Sequence, residues 1–203
     1  MPLRVKYIEV EEIDRIIEGY FRKFYPSRKI PVDIELIIEK IGLNIIPVSD
    51  LYDLCGMEAA FCFYNGKEAI IIDNERFMDG SNNPRTRFSF SHELGHYALH
   101  REAYELLKIN SVTDYYNIFK NDIPLSVYKR LEFQANDFAG RFLMPTPELK
   151  KAFNALYKEM LENDTVDKAR IYINLGNFFN VSLDAIRIRV DNEFNSYFND
   201  YIY

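Results

Sequence analysis

The sequence predicts an α+β fold: a small, mostly antiparallel sheet packed on helices, one helix carrying a His-Glu-x-x-His motif, and a helical carboxyl-terminal part. Three observations predict it. Apolar residues recur at helical spacing in several stretches, two β-rich runs flank Asn65-Gly66, and His92-Glu93-Leu94-Gly95-His96 brings its two imidazoles together only on a helix.

Val10, Ile13, Ile17, Tyr20, Phe21 and Phe24 predict a first amphipathic helix from about Glu9 to Tyr25, stopped by Pro26. A second helix from about Pro31 carries Ile34, Ile37, Ile38 and Ile41 and closes at Gly42, a residue suited to the left-handed position past a helix end. A strand is expected at Leu43 to Val48. Met57 to Tyr64 and Lys67 to Asp73 then form a hairpin, because Asn-Gly is the favoured pair of a tight type I′ turn. Ser81-Asn82-Asn83-Pro84 signals a helix start, so the motif lies inside a helix. Gly95 costs that helix about 1 kcal/mol relative to alanine, which points to close approach by another element. Loose polar sequence from Lys108 to Asn121 gives way at Asp122-Ile123-Pro124 to a long helix ending at Met144, before Pro145. Thr165 is a cap for a helix over Val166 to Phe179, and a turn at Asn180-Val181-Ser182 leads to a short helix through Ala185, Ile186, Ile188 and Arg189. The tail from Phe194 to Tyr203 is either packed on the body or frayed.

The 203 residues are 48% hydrophobic, enough for a full core and incompatible with global disorder. The net charge of -6 gives no overall attraction to nucleic acid or an anionic membrane. No stretch approaches the roughly 20 apolar residues of a membrane span, and Met1-Pro2-Leu3-Arg4 is not followed by a long apolar run, so a cytoplasmic protein is expected. Cys55 and Cys62 are expected to be reduced structural thiols.

His92 and His96, four residues apart, share a helix face and can reach one metal ion. Glu93 stands one step round, where it can take a proton from a water in the same site; this is the pattern of a zinc peptidase. The competing reading is a set of surface polar residues. In the long helix, Tyr128, Glu132, Ala135, Ala139 and Phe142 form a core-facing stripe that contains a carboxylate. Buried without a partner it is costly. A metal ion supplies the partner, and so would a basic residue such as Arg87 or Arg141. His100 competes for the third ligand position but lies about 12 Å along the axis from His92, too far for bonds of about 2.0–2.1 Å to one ion. A role beside the ligands, or in packing, suits it better. Leu99 and Glu102 occupy the glycine and final histidine positions of the extended HExxHxxGxxH pattern, which is therefore absent, and Glu102 stays a weak ligand candidate.

Arg87-Phe88-Ser89-Phe90-Ser91-His92-Glu93-Leu94-Gly95-His96-Tyr97-Ala98-Leu99-His100, together with the run from Glu132-Phe133-Gln134-Ala135-Asn136-Asp137-Phe138-Ala139 to Leu143-Met144-Pro145, resembles the ImmA/IrrE-type metallo-endopeptidases. The second block is similar to the family's E-x-x-A-N-x-F-A-x-x-L-x-M-P signature. Ser91 and Gly140 depart from it where alanine is commoner, and Phe142 where leucine is. The resemblance covers about Pro31 to Val190. It implies a zincin-like fold, one Zn2+ held by His92, His96 and Glu132, and Glu93 as general base and proton shuttle for peptide hydrolysis. It thus selects the glutamate that the stripe selects. Asn136, on the face of Glu132, either orients a ligand histidine or packs. Tyr97, Tyr104, Tyr128 and His100 are candidates to stabilise the oxyanion, and an exposed sheet edge can hold an extended substrate by strand addition.

The resulting division is a metallopeptidase domain over 1–163, a helix-turn-helix-like pair over 164–193 that completes it, and a tail over 194–203. Leu175, Phe178, Val181, Ala185 and Ile186 suit a helix-turn-helix core, but Arg187 and Arg189 are offset by Asp184, Asp191 and Glu193, so DNA binding is not expected. The expected substrate is a protein, a repressor or other regulator encoded nearby. The alternative is a non-catalytic zinc-containing regulatory protein that binds DNA or a partner through its carboxyl-terminal helices. Its weakness is Glu93, since a purely structural metal site has no use for a base.

Overall fold

Three strands order the first half of the chain. A computed structural model describes residues 5–64, 66–78, 80, 82–107, 111–118, 123–163 and 165–198. Helix α1 (Val10–Phe24) buries Ile13, Ile17 and Phe21. Helix α2 (Ile34–Ile41) begins later than Pro31, because the Asp33 side chain accepts from Leu36 N at 3.0 Å and so fixes the start; Gly42 closes it at φ 87°. Strand β1 (Asn44–Val48) leads through a short helix, α3 (Leu51–Cys55), to β2 (Ala59–Tyr64) and β3 (Lys67–Asp73). Asn65 of the expected turn lies outside the described residues.

The sheet order is β1-β3-β2. β2 and β3 pair antiparallel, Phe61 opposite Ile70, whereas β1 pairs parallel to β3, Ile45 opposite Ile70. The sheet is thus mixed, which corrects the mostly antiparallel expectation. β1 is not joined to β3 by a hairpin; the chain between them runs through α3 and β2, a crossover long enough for parallel pairing. β2 is left at an edge.

After a short helix, α4 (Asn74–Met78), comes α5 (Pro84–Leu107), which carries the motif. Asn83 Oδ1 accepts from Arg85 N at 2.9 Å at its start; Ser81 lies outside the described residues. The stretch expected to be loose contains α6 (Val112–Asn117), while residues 108–110 and 119–122, with the Asp122 start signal, are outside the described set. Helix α7 spans Leu125–Leu143. Two prolines, at 145 and 147, then open α8 (Thr146–Glu162) instead of ending structure, since a first helical turn needs no N–H donors there. Helix α9 (Lys168–Phe179) is capped by Asp167, which accepts from Ala169 N at 2.8 Å. Thr165, the expected cap, closes the end of α8 through Met160 O. Helix α10 (Leu183–Phe198) is longer than expected and kinks at Phe194, which stacks on Phe153 at 3.8 Å, so the start of the tail is packed. Residues 199–203 lie outside the described set.

Two apolar clusters result. One joins α1, α2, the sheet, α5 and α7; the other joins the end of α7 to α8, α9 and α10. Among the described residues no helix is long and apolar enough to cross a membrane.

Candidate metal centre

α5 and α7 pack face to face, and Gly95 is where they come closest. A Cβ there would sit 3.2 Å from Ala135 Cα, Ala135 O and Phe138 Cδ1. This approach brings the α7 side chains up to the two motif histidines. His92 Nε2 and His96 Nε2 are 3.0 Å apart, His92 Nε2 is 3.3 Å from Glu132 Oε2, and His96 Nε2 is 3.4 Å from Glu132 Oε1. A tetrahedral ion with bonds of about 2.0–2.1 Å holds its donors about 3.3 Å apart. The three side chains therefore fit one metal ion, and no other trio of His, Cys, Asp and Glu does so among the described residues.

The protonation pattern supports the same fit. Asn136 Oδ1 lies 3.0 Å from His92 Nδ1, so the proton of neutral His92 sits on Nδ1 and its Nε2 lone pair faces the cluster. The two Nε2 atoms and the Glu132 carboxylate thus converge as a donor set suited to one shared cation. Burial opposes charge on His92, yet the Glu132 hydrogen bond, the Glu93 and Glu132 carboxylates and Asn136 together raise its pKa to about 8. Burial likewise opposes charge on Glu132, and the two histidines outweigh it, holding the carboxyl well below its usual range. Neither arginine considered as a partner reaches Glu132. Arg87 Nε donates to Asn180 O at 3.2 Å, and Arg141 is held by Asp137 and Asp14 at 3.0 and 3.1 Å.

Glu93 points the other way round the helix, toward the sheet. Its Oε2 accepts from Phe61 N on the edge strand β2 at 2.7 Å. Phe61 is fully buried, so this N–H needs an acceptor, and Glu93 provides it.

The remaining candidates separate cleanly. His100 is buried below the histidine pair, with Nδ1 3.2 Å from His96 Nδ1 and Nε2 2.9 Å from Gln134 Oε1; burial, then the neighbouring His96, pushes its pKa down to about 3. Tyr104 is fully buried against Phe61 and His96. Tyr97 packs edge-on to Phe61 and lines a cavity of about 750 Å³ shared with Tyr20 and Arg101, whose walls include none of His92, His96 and Glu132. Tyr128, one turn before Glu132, has its pKa raised by burial and by the charges of Glu132 and Glu93. In the carboxyl-terminal part Arg189 is buried and bonds to Thr146 Oγ1 at 2.8 Å, so it offers no surface charge.

Two participants lie outside the sequence reading. Phe61 acts through its main chain, which no side-chain pattern reports. Gln134 sits two residues after Glu132, off the stripe; its signal is a polar residue at helical spacing between the apolar Leu131 and Phe138.

A family model, that of the IrrE N-terminal-like domain of peptidase family M78, matches residues 78–191, which include α5, α7 and the four residues His92, Glu93, His96 and Glu132. No curated protein matches the chain. Among solved structures, a Mycobacterium tuberculosis transcriptional regulator is similar at 16% identity with a TM-score of 0.49; the match covers 91% of this chain and 52% of that one, so this chain spans about half its length. With more than half of its residues matched, the chain belongs to peptidase family M78, the IrrE N-terminal-like family.

Proposed function

We propose that the protein is a zinc-dependent endopeptidase in which His92, His96 and Glu132 hold the ion and Glu93 is the general base. One observation carries the reading: a carboxylate adjacent in sequence to one of three converging metal donors is itself anchored by an edge-strand N–H, at 2.7 Å. Zinc, when bound, supplies a Lewis acid that activates water and polarises a peptide carbonyl. Glu93 takes the proton of the attacking water and returns it to the leaving amine. Phe61 N–H steadies the carboxylate in both states. Tyr128, partly buried one turn before Glu132 on α7, is the tyrosine suited to donate to the developing oxyanion, since Tyr104 is sealed in the core and Tyr97 faces another cavity. An extended peptide laid along the β2 edge would pass Glu93.

The substrate proposed is a regulatory protein, such as a helix-turn-helix repressor encoded nearby. The test is co-expression of that regulator with wild type and with Glu93→Gln. The variant keeps an oxygen acceptor for Phe61 N–H, so the fold is preserved. Cleavage by wild type and at least a hundredfold slower cleavage by the variant, with equal zinc content, is the expected result. Equal loss of the regulator with both proteins would refute the assignment of Glu93.

A further inference from the structure

His92 and His96 are oriented by different means. His92 is held directly by Asn136, whereas His96 ends a chain of hydrogen bonds that starts outside both helices. Gln134 Nε2 donates to the main-chain oxygen of Lys6 at 2.9 Å, Gln134 Oε1 is 2.9 Å from His100 Nε2, and His100 Nδ1 is 3.2 Å from His96 Nδ1. We propose that Gln134 and His100 are positioning residues that fix the tautomer of His96, with the Lys6 carbonyl as the fixed end of the chain.

Polarity runs one way along it. A main-chain carbonyl only accepts, so the amide nitrogen of Gln134 must face Lys6 and its oxygen must face His100. His100 therefore carries its proton on Nε2 and presents a lone pair at Nδ1. The proton of His96 must then sit on its Nδ1, which leaves Nε2 free to bind the ion. Gln134, His100 and His96 are 1%, 3% and 0% exposed, so water does not compete for these bonds. The Lys6 carbonyl is itself held in place, since Arg130 Nη1 donates to the adjacent Val5 O at 2.8 Å. The segment before α1 thus forms part of the metal centre without touching the ion.

The inference rests on the zinc reading above, and the test separates the two. The full-length protein is labelled with ¹⁵N-histidine; long-range ¹H–¹⁵N spectra of the metal-free form report which ring nitrogen of His100 is protonated, and a competing chelator reports zinc affinity. Gln134→Met removes the acceptor, and is expected to move the His100 proton toward Nδ1 and to weaken zinc binding about 10- to 100-fold. His100→Asn puts an amide oxygen near the position of Nδ1, still accepts from His96, and is expected to bind zinc within a few-fold of wild type. In the His100→Asn background, Gln134→Met then has little further effect on affinity. A Gln134 that merely anchors the Lys6 segment would cost the same affinity in both backgrounds, and that result overturns the relay, as does an unchanged His100 tautomer in Gln134→Met. If Gln134→Met does not fold, the metal-free wild-type spectrum decides by itself: the relay requires the His100 proton on Nε2, and a His100 proton on Nδ1 overturns it. Wild type that takes up no zinc removes the zinc reading, while the metal-free tautomers still decide the relay.

Discussion

Replacing Gly95 by alanine sets two effects of known size against each other. In a helix interior the change gains about 1 kcal/mol of propensity. The new methyl would meet Ala135 Cα, Ala135 O and Phe138 Cδ1, each at 3.2 Å, where carbon atoms prefer about 3.5–4.0 Å. Two of these three atoms are α7 main chain, so relief requires moving the helix, not turning a side chain. That helix is pinned by Arg130 to Val5 and by Arg141 to Asp14. Overpacking of this kind costs about 1–3 kcal/mol. The net expectation is a loss of about 1 kcal/mol, or about 2–4 °C in the melting midpoint for a chain of this length. A shift of a few tenths of an ångström also exceeds the tolerance of about 0.2 Å that metal–ligand distances allow, so zinc affinity should fall about tenfold. Thermal unfolding with and without chelator, together with a zinc competition titration, reads both quantities. A Gly95→Ala protein that melts above wild type and keeps its zinc affinity refutes the idea that this glycine sets the spacing of the site.

Other consequences are open to direct measurement. Glu132→Ala should lose stoichiometric zinc by metal analysis, and chelation of wild type should lower its melting midpoint by about 5–10 °C, the size expected when about 100-fold saturation is removed. In the metal-free protein His92 is raised to about 8, so its contribution is full below its unfolded value near 6.5 and is lost as pH rises through 8; the depressed Glu132 contributes above about 4.5 and is lost as pH falls. The pair therefore stabilises metal-free protein most between roughly pH 4.5 and 6.5. Melting curves from pH 6.5 to 8.5 should show a decline that Glu132→Gln flattens; no difference between the two proteins would contradict the pairing. Glu93→Ala, unlike Glu93→Gln, strands the buried Phe61 N–H and should cost about 1–3 kcal/mol in denaturant unfolding. Burial, then the charge of Glu93, pushes the Cys62 thiol up to about 12, so alkylation of the native protein should modify Cys55 and spare Cys62, as mass spectrometry of the labelled peptides would show.

The parts of the fold written in local chemistry were legible. Gly42, Asn83 with Pro84, and the helical spacing on α1, α5 and α7 each act within a few residues, and their elements stand within a few residues of where they were expected. Glu132 was legible because a carboxylate interrupts an apolar stripe. What could not be read depends on distant closure. β1 pairs parallel to β3 because of the path taken by the rest of the sheet, and nothing in Asn44–Val48 specifies direction. Pro145 and Pro147 carry the same local signal whether they end α7 or begin α8. Asp167 displaced Thr165 as a cap because Thr165 was already turned back to Met160. Arg189 looked like surface charge, yet Thr146 and Glu193 receive it in the interior.

The arrangement of the site divides its labour between two layers. On the proposed reading, one stretch of α7 supplies the third ligand and the first contacts that orient the two histidines: Glu132 binds, Asn136 orients His92, and Gln134, anchored on the Lys6 carbonyl, orients His96 through His100 of α5. Neither helix holds a complete site, so metal binding requires the contact at Gly95 and Ala135 and is coupled to the packing of the core. The base is oriented from a different layer, by the edge of the sheet at Phe61. Changes at the α5–α7 contact should thus move zinc affinity and stability together. Changes in the alignment of β2 should instead alter turnover at constant zinc content. A peptide that extends the sheet at β2 would engage the layer that holds the base, which ties substrate binding to the orientation of Glu93 and leaves the ligand cluster undisturbed.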